Sequence, residues 1–167
     1  MSVGALEALE RLQIGNRRFV DGHQNQASVT REELEASTRG QKPFAIVLGC
    51  ADSRVPVELI FDHGIGDLFV VRVAGNVVTP AQFGSVEFAA EQFGTELVVV
   101  LGHSYCGAVK ATLDHLRRPG GSLSPGLQSI VDRIQPAVES LVDGELAGDP
   151  EALLRAGIRA NVQESVE

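Results

Sequence analysis

The chain has 167 residues, 44% of them hydrophobic and 22% charged, which is typical of a single soluble domain with a hydrophobic core. The formal net charge of -8 argues against nucleic acid and against an anionic membrane surface as partners. No apolar run approaches the roughly 18 residues that span a bilayer, no secretory signal is visible, and two cysteines do not suggest a disulfide scaffold. We therefore expect a cytoplasmic protein with reduced thiols.

The first elements in chain order are two predicted helices. Residues 4–20 place apolar side chains, including Leu6, Leu9 and Leu12, near helical spacing. The "TREE" segment at 30–33 has the Thr-x-x-Glu form of a capping box, which predicts the start of a second helix.

Three short apolar runs then predict strands, at residues 43–50, 67–75 and 96–103. Each run is continuous, as in strands that are buried on both faces. A helix is predicted between the second and third strands, with Thr79 as its N-cap and Pro80 at its first position. The order strand, helix, strand favours a parallel sheet with crossover helices.

Helical patterns fill the rest of the chain. One helix is predicted just after Cys106, a second after Ser124 and a third after Asp149. Pro136 should kink or divide the second of these helices. The last pattern continues to the final residue without a stop signal, so we expect either a fragment or a naturally short protein.

The residues that carry chemistry follow two of the predicted strands. Cys50 ends one apolar run, and His103 and Cys106 follow another. The carboxyl ends of parallel strands form the edge where ligands bind, so neighbouring strands would bring these three side chains together. Two thiolates and one imidazole are a common zinc set, and three ligands leave the fourth tetrahedral position open.

Asp52 and Arg54 lie close to Cys50 in the "CADSR" segment. Two thiolates cancel the formal charge of Zn²⁺, so the metal would acidify water less strongly than one held by three imidazoles. Asp52 could orient that water through a hydrogen bond, or it could bind the metal as a fourth ligand in a closed state. Arg54 could hold the carboxylate in a bidentate fork and keep it off the metal.

Simpler interpretations of the same residues stay open at this point. A lone cysteine at a strand end is usually core filler, and an exposed Asp–Arg pair contributes little free energy. A redox pair is also conceivable, although the two cysteines lack the C-x-x-C spacing. Phe83, Phe88 and Phe93 share one predicted helix and indicate packing more than a ligand pocket.

"CADSR" (50–54) followed by "HSYC" (103–106) resembles the β-class carbonic anhydrases of bacterial type. The segments at 66–76, 84–89 and 101–109 are also similar to that family and occur in the family's order. The resemblance implies an α/β fold: a central, mostly parallel β-sheet of about four strands, flanked by helices, with an N-terminal helical arm. It implies one domain over 1–167, divided into the arm (1–40), a zinc-site α/β core (41–118) and C-terminal helices (119–167).

The activity that the resemblance implies is that of a zinc lyase, the reversible hydration of CO₂ to bicarbonate and a proton by zinc-bound hydroxide. Cys50, His103 and Cys106 would be the Zn²⁺ ligands, and Asp52 and Arg54 the catalytic dyad. Gln41 matches a residue that hydrogen-bonds the substrate in some members. Apolar walls for CO₂ are implied at Phe69, Ala74 and Phe88, and Gly107 would lie beside the metal.

The family resemblance also implies a homodimer or a dimer of dimers, with sites at the subunit interface. One subgroup has a noncatalytic bicarbonate site. Val47 stands where this subgroup has tryptophan. Arg72 matches the arginine of that site, but this arginine also occurs outside the subgroup, so we expect an enzyme without that regulation. Two rival hypotheses remain: an enzyme that hydrolyses CS₂ or COS on the same scaffold, and a catalytically silent zinc-binding or scaffolding protein.

Overall fold

The computed structural model describes residues 2–25, 29–118 and 120–167, so residue 119, where the C-terminal helical region is expected to begin, lies outside it. Helices and strands alternate through the first two thirds of the chain, and helices follow. In chain order the elements are α1 (Ala5–Val20), α2 (Arg31–Ser37), β1 (Ala45–Cys50), α3 (Val57–Ile60), β2 (Leu68–Val73), a 3-10 turn (Ala74–Asn76), α4 (Pro80–Phe93), β3 (Val98–Leu101), α5 (Gly107–Arg117), α6 (Pro125–Val142) and α7 (Pro150–Glu164).

The three strands form one sheet in the order β2-β1-β3. Hydrogen bonds run from the Phe44 amide to the Asp67 carbonyl (2.9 Å) and from the Ala51 amide to the Val73 carbonyl (3.1 Å). Residue numbers rise together along both strands, so β1 and β2 are parallel, as expected. All six residues of β1 are buried, whereas the two edge strands are only partly covered.

The α/β class with a parallel sheet is confirmed, but the expected count of about four strands is wrong for the described residues, which contain three. The reason lies in the sequence after β3. Its apolar residues recur at helical spacing and form α5, α6 and α7, so that part of the chain supplies no further strand.

Helix starts follow the capping signals in the sequence. Thr30 forms a complete capping box with Glu33, and the Asp149 carboxylate accepts from two amides of the first turn of α7. Ser124 caps α6, which runs unbroken through Pro136 and is therefore not divided there. Buried apolar side chains on both sides of Pro136 hold this helix in place: Val131, Ile134 and Val138.

Contacts within the chain group into two compact units. The first comprises Met1–Leu48, Ser53–Val71 and Pro80–Val99; the second comprises Gly49–Asp52, Arg72–Thr79 and Val100–Glu167. The single-domain organisation stays a prediction. Among the described helices, none is both long and apolar enough to cross a membrane.

The core of the second unit is an apolar cluster that includes both cysteines. Its buried members are Cys50, Val77, Cys106, Val109, Leu113, Ile134, Val138 and Leu153. Helices α5, α6 and α7 supply most of these side chains and pack against one another. Both thiols are therefore part of the buried core of the second unit.

Candidate metal site

Three side chains that the sequence predicts as metal ligands meet in the second unit. Cys50 is the last residue of β1, His103 lies two residues after β3, and Cys106 directly precedes α5. Their two Sγ atoms and a ring nitrogen of His103 lie within 4.8 Å of one another. Adjacent parallel strands bring these carboxyl ends to the same edge of the sheet, as the sequence predicts.

The loop between His103 and Cys106 turns sharply at Tyr105. This residue has φ of 58°, in the left-handed region that a residue other than glycine seldom adopts. The turn brings Cys106 back to the start of α5 and buries its side chain, which is 2% exposed. Backbone strain in this short loop is thus concentrated between two candidate ligands.

The orientation of His103 fits a metal ligand. Its Nδ1 lies 2.9 Å from the Ser104 carbonyl oxygen, which can only accept, so Nδ1 carries the proton and donates. Nε2 then presents a lone pair, and it is the one buried side-chain nitrogen or oxygen without a hydrogen-bond partner among the described residues. A ligand histidine is usually held in this way by a bond from its other nitrogen.

The two cysteine sulfurs shift each other's pKa in opposite directions. A hydrogen bond from the Cys106 thiol, with further bonds from the backbone of Asp52 and Gly75, lowers the pKa of Cys50 to about 4. The Cys50 thiolate and burial raise the pKa of Cys106. One proton therefore has to leave Cys106 when a metal binds both sulfurs, which makes metal affinity dependent on pH.

Asp52 lies beside the three candidate ligands. Its Oδ2 is 4.0 Å from Nε2 of His103, and its side chain is 19% exposed. The carboxylate is therefore near enough to the ligand set to hydrogen-bond a water molecule bound there. Arg54 is exposed and belongs to the first unit, so its pairing with Asp52 stays a prediction.

Arg72 braces the segment that carries Cys50 and Asp52. Its Nε donates to the Cys50 carbonyl at 3.0 Å, and its Nη2 donates to the Asp52 carbonyl at 2.7 Å. The planar guanidinium reaches the two carbonyls from two different nitrogens held in a fixed arrangement, whereas a lysine has a single donor nitrogen. Sequence reasoning matched Arg72 only to a bicarbonate site and missed this role, although a charge at the end of the apolar run "LFVV" was a signal.

Gly75 contributes a backbone contact to the thiolate. Its N–H donates to Cys50 Sγ at 3.3 Å from a backbone with φ of +69°. A Cβ here would lie 2.8 Å from Cδ1 of Ile134 and 3.0 Å from Cβ of Ala108. Both conformation and space therefore require glycine at this position.

The remaining predicted residues are divided between the two units. Ala74 and Gly107 belong to the second unit, where Ala74 precedes Gly75 and Gly107 follows Cys106. Gly107 is exposed, and a Cβ there would meet no atom within 4 Å. Gln41 is exposed and belongs to the first unit. The substrate-binding roles of these residues stay predictions.

Phe69 and Phe88 form an aromatic cluster with Phe93 in the first unit. The ring centroids are 6.3 Å apart for Phe69 and Phe88, 6.1 Å for Phe69 and Phe93, and 5.8 Å for Phe88 and Phe93. These contacts agree with the packing interpretation of Phe88 and Phe93, whereas Phe83 is 56% exposed. Phe88 also keeps 52% exposure, so this cluster retains an accessible aromatic face.

Comparison with known proteins identifies the family. A family model described as carbonic anhydrase matches residues 45–167. Carbonic anhydrase 2 of Mycobacterium tuberculosis is 45% identical over 132 residues, and the carbonic anhydrase of Mycolicibacterium smegmatis is 46% identical over 132 residues. Each alignment covers 78% of this chain and 63% of the relative, so the chain spans less than two thirds of the length of both.

A solved structure agrees with the fold. The β-carbonic anhydrase CafA of the fungal pathogen Aspergillus fumigatus superposes with a TM-score of 0.71 at 26% identity, covering 95% of this chain and 72% of that one. The family model matches well over half of the chain, and the fold and the motifs agree with it. The chain belongs to the β-carbonic anhydrase family.

Proposed function

We propose that this chain is a zinc-dependent carbonic anhydrase that catalyses the reversible hydration of CO₂ to bicarbonate and a proton. The observation that carries the proposal is the buried Nε2 of His103, which has no hydrogen-bond partner within the described part of the chain and lies beside Asp52 in a cluster with two buried cysteines. Membership of the family supports the same conclusion.

The donor set fits zinc. Cys50, His103 and Cys106 offer two sulfurs and one nitrogen, a combination that suits Zn²⁺ and leaves a fourth position for water or substrate. When bound, zinc supplies a Lewis acid that makes water nucleophilic near neutral pH.

The surrounding residues keep the ligands in place. The Ser104 carbonyl fixes the His103 ring, and the Gly75 N–H stabilises the Cys50 thiolate. Arg72 holds the backbone carbonyls of Cys50 and Asp52, so that the end of the strand and the backbone of Asp52 are fixed relative to each other. Such outer contacts reduce the reorganisation that the site needs during turnover.

Asp52 supplies the polar contact to the reacting water. A carboxylate oxygen 4.0 Å from Nε2 of His103 can accept a hydrogen bond from the water that adds to CO₂, which orients the lone pair of that water toward the carbon. Arg54 would restrain this carboxylate and keep it from taking the fourth ligand position itself.

Substrate binding is assigned to the residues that match the family. Phe69, Ala74 and Phe88 would form apolar walls for CO₂, Gly107 would leave space beside the metal, and Gln41 would donate a hydrogen bond. An apolar pocket suits an uncharged substrate.

We assign the chain to a homodimer or a dimer of dimers. The exposed aromatic face at Phe88 and the 86% exposed Leu6 support a partner surface. We also assign it to the cytoplasm, because two cysteines that must stay reduced as ligands suit a reducing compartment. Native mass spectrometry should give a mass of two or four chains, and a purely monomeric species would contradict the assembly.

Stopped-flow CO₂ hydration on the zinc-loaded 167-residue chain tests the activity. We expect a rate well above buffer, with one zinc per chain by native mass spectrometry. Stoichiometric zinc without hydration would indicate a silent zinc-binding protein. Turnover of CS₂ or COS with none of CO₂ would assign a different substrate to the same site.

A further inference from the structure

Asn161 is a buried polar residue on α7 that the proposed mechanism does not use. It is 2% exposed, and its Nδ2 donates to the Gly75 carbonyl at 2.7 Å. Burying an amide among apolar helices costs free energy unless it is hydrogen-bonded, so this contact accounts for an asparagine at the position.

Close packing of α7 brings Asn161 to the turn. Gly157 lies one helical turn before Asn161, and a Cβ there would be 3.3 Å from Cγ1 of Val109 and 3.4 Å from Cδ1 of Leu113. Without a side chain at residue 157, α7 lies close against α5. Residues four apart share a helix face, so Asn161 points in the same direction as Gly157.

A second bond ties α7 to the same turn. Ser165, one turn after Asn161, donates its single hydroxyl proton within the helix to the Asn161 carbonyl at 2.8 Å, and its Oγ accepts from Nδ2 of Asn76 at 3.4 Å. Asn76 has φ of 46°, so the turn holds two consecutive residues, Gly75 and Asn76, in the left-handed region. A backbone of this kind keeps its conformation only when its surroundings fix it, and the α7 segment is hydrogen-bonded to both residues.

The backbone carbonyl and the backbone N–H of Gly75 connect Asn161 to the metal site. The carbonyl of Gly75 accepts from Asn161, and its N–H donates to Cys50 Sγ at 3.3 Å. Ile134 lies close behind the glycine and limits movement of the turn in its direction. A displacement of Gly75 would therefore change the geometry of the N–H···S hydrogen bond.

We propose that Asn161 is a positioning residue of the metal site, which acts by holding the Gly75 N–H against the sulfur of Cys50. The inference rests on the proposed function in one respect, that Cys50 is a zinc ligand. Hydrogen bonds to a ligand sulfur withdraw electron density from it and fix its direction. Loss of the Asn161 bond therefore loosens the thiolate without touching any ligand.

Two substitutions remove the donor in different ways. Asn161→Asp keeps the shape of the side chain but turns a carboxylate toward the Gly75 carbonyl, while Asn161→Leu keeps the volume and offers no polar atom. Zinc affinity is measured by chelator competition, and the sulfur-to-metal charge-transfer band is recorded on the cobalt-loaded chain. We expect zinc binding about tenfold weaker in both, the lower end of the range for outer contacts, with a shifted band.

Leu153→Val is the matched control. Leu153 is 1% exposed and lies on the same helix, two turns before Asn161. This variant should lower the melting temperature and leave zinc affinity and the cobalt band unchanged. Equal zinc losses in Leu153→Val and the Asn161 variants would overturn the inference, because the effect would then be general destabilisation.

Wild-type zinc affinity and an unshifted band in both Asn161 variants would also overturn it, while the proposed function would stand. A wild-type chain that binds no zinc would overturn both. Amide hydrogen exchange at Gly75 in the zinc-loaded wild type needs no substitution: slow exchange supports the inference, and exchange at the rate of an exposed amide contradicts it.

Discussion

Two buried polar groups differ in their hydrogen bonding: the carboxylate of Asp62 in the first unit and the ring nitrogen Nε2 of His103 in the second. Asp62 in the first unit is 3% exposed and accepts a hydrogen bond from the Arg18 guanidinium. The backbone N–H of Asn25 also donates to this carboxylate, 3.0 Å from Oδ1 and 3.1 Å from Oδ2. His103 in the second unit donates through Nδ1 but presents a buried Nε2 without a partner among the described residues.

The difference separates a structural group from a functional one. Buried polar atoms in folded proteins nearly always have hydrogen-bond partners, since an unpaired one costs free energy. Asp62 meets that rule through protein contacts, which indicates a role in holding the first unit together. His103 departs from it beside two buried sulfurs, which indicates a role in binding a ligand.

The largest expected effect is the loss of a candidate ligand. Cys50→Ser replaces a thiolate with a hydroxyl that binds zinc poorly, so zinc content should fall from one per chain to nearly none and CO₂ hydration to the buffer rate. Metal analysis of the purified variant checks this, with circular dichroism to confirm folding. Full zinc content in Cys50→Ser would show that the metal is bound elsewhere.

Asp52→Asn should keep the metal and lose the reaction. Because an amide is a weaker acceptor than a carboxylate, kcat/KM should fall about 100-fold or more, in the range of general acid–base catalysis. Stopped-flow kinetics and zinc analysis of the same sample separate the two effects. A rate equal to the wild type would refute the role of this carboxylate.

Asp62→Asn tests whether Asp62 stabilises the first unit. The substitution leaves the Arg18 guanidinium without its buried counter-charge and should lower the free energy of unfolding by about 2–3 kcal/mol. Chemical denaturation measures this loss, while zinc content should be unchanged. A stability equal to the wild type, or a loss of zinc, would contradict the separation of the two roles.

Arg72→Gln should have a smaller effect on the metal site. The shorter amide cannot bridge the carbonyls of Cys50 and Asp52, so zinc affinity should fall about tenfold. Arg155→Gln is the matched control, because Arg155 is exposed and bonds only to Glu151 among the contacts described for it. Equal zinc affinities in Arg72→Gln and Arg155→Gln would contradict the proposal that Arg72 holds the metal site in place.

The smallest effect concerns acid stability of the first unit. His63, whose Nδ1 lies 3.7 Å from Oδ2 of Asp67, and the Gly64 amide, which donates to the same oxygen at 3.0 Å, hold the pKa of Asp67 below its ordinary value. A carboxyl with a depressed pKa in the folded state stabilises the protein above the unfolded pKa and loses that contribution as pH falls through the folded one. The stability difference between wild type and Asp67→Asn should therefore shrink below about pH 4. A difference that is constant across this range would contradict the His63 contact.

Local patterns account for what the sequence predicted well. The carboxyl ends of β1 and β3, the capping residues Thr30 and Asp149, and the convergence of Cys50 with His103 each follow from a short run of residues. The adjacency of β1 and β3 was a condition of that prediction, because no local pattern shows that β3 pairs with β1 and not with β2.

Contacts that depend on tertiary packing could not be predicted from the sequence. Arg72 and Asn161 bond to backbone carbonyls that come near only once β2 and α7 are in place. No periodicity encodes such partners, although the spacing of Gly157, Asn161 and Ser165 on one helix face was visible. The continuity of α6 at Pro136 depends in the same way on its packed neighbours.

Zinc-edge X-ray absorption on the metal-loaded chain counts the ligand atoms and so tests the proposed metal site itself. We predict two sulfurs at about 2.3 Å and one imidazole nitrogen at about 2.0 Å, with a single further oxygen ligand. A coordination shell without sulfur, or one with a single sulfur, would contradict the assignment of Cys50 and Cys106.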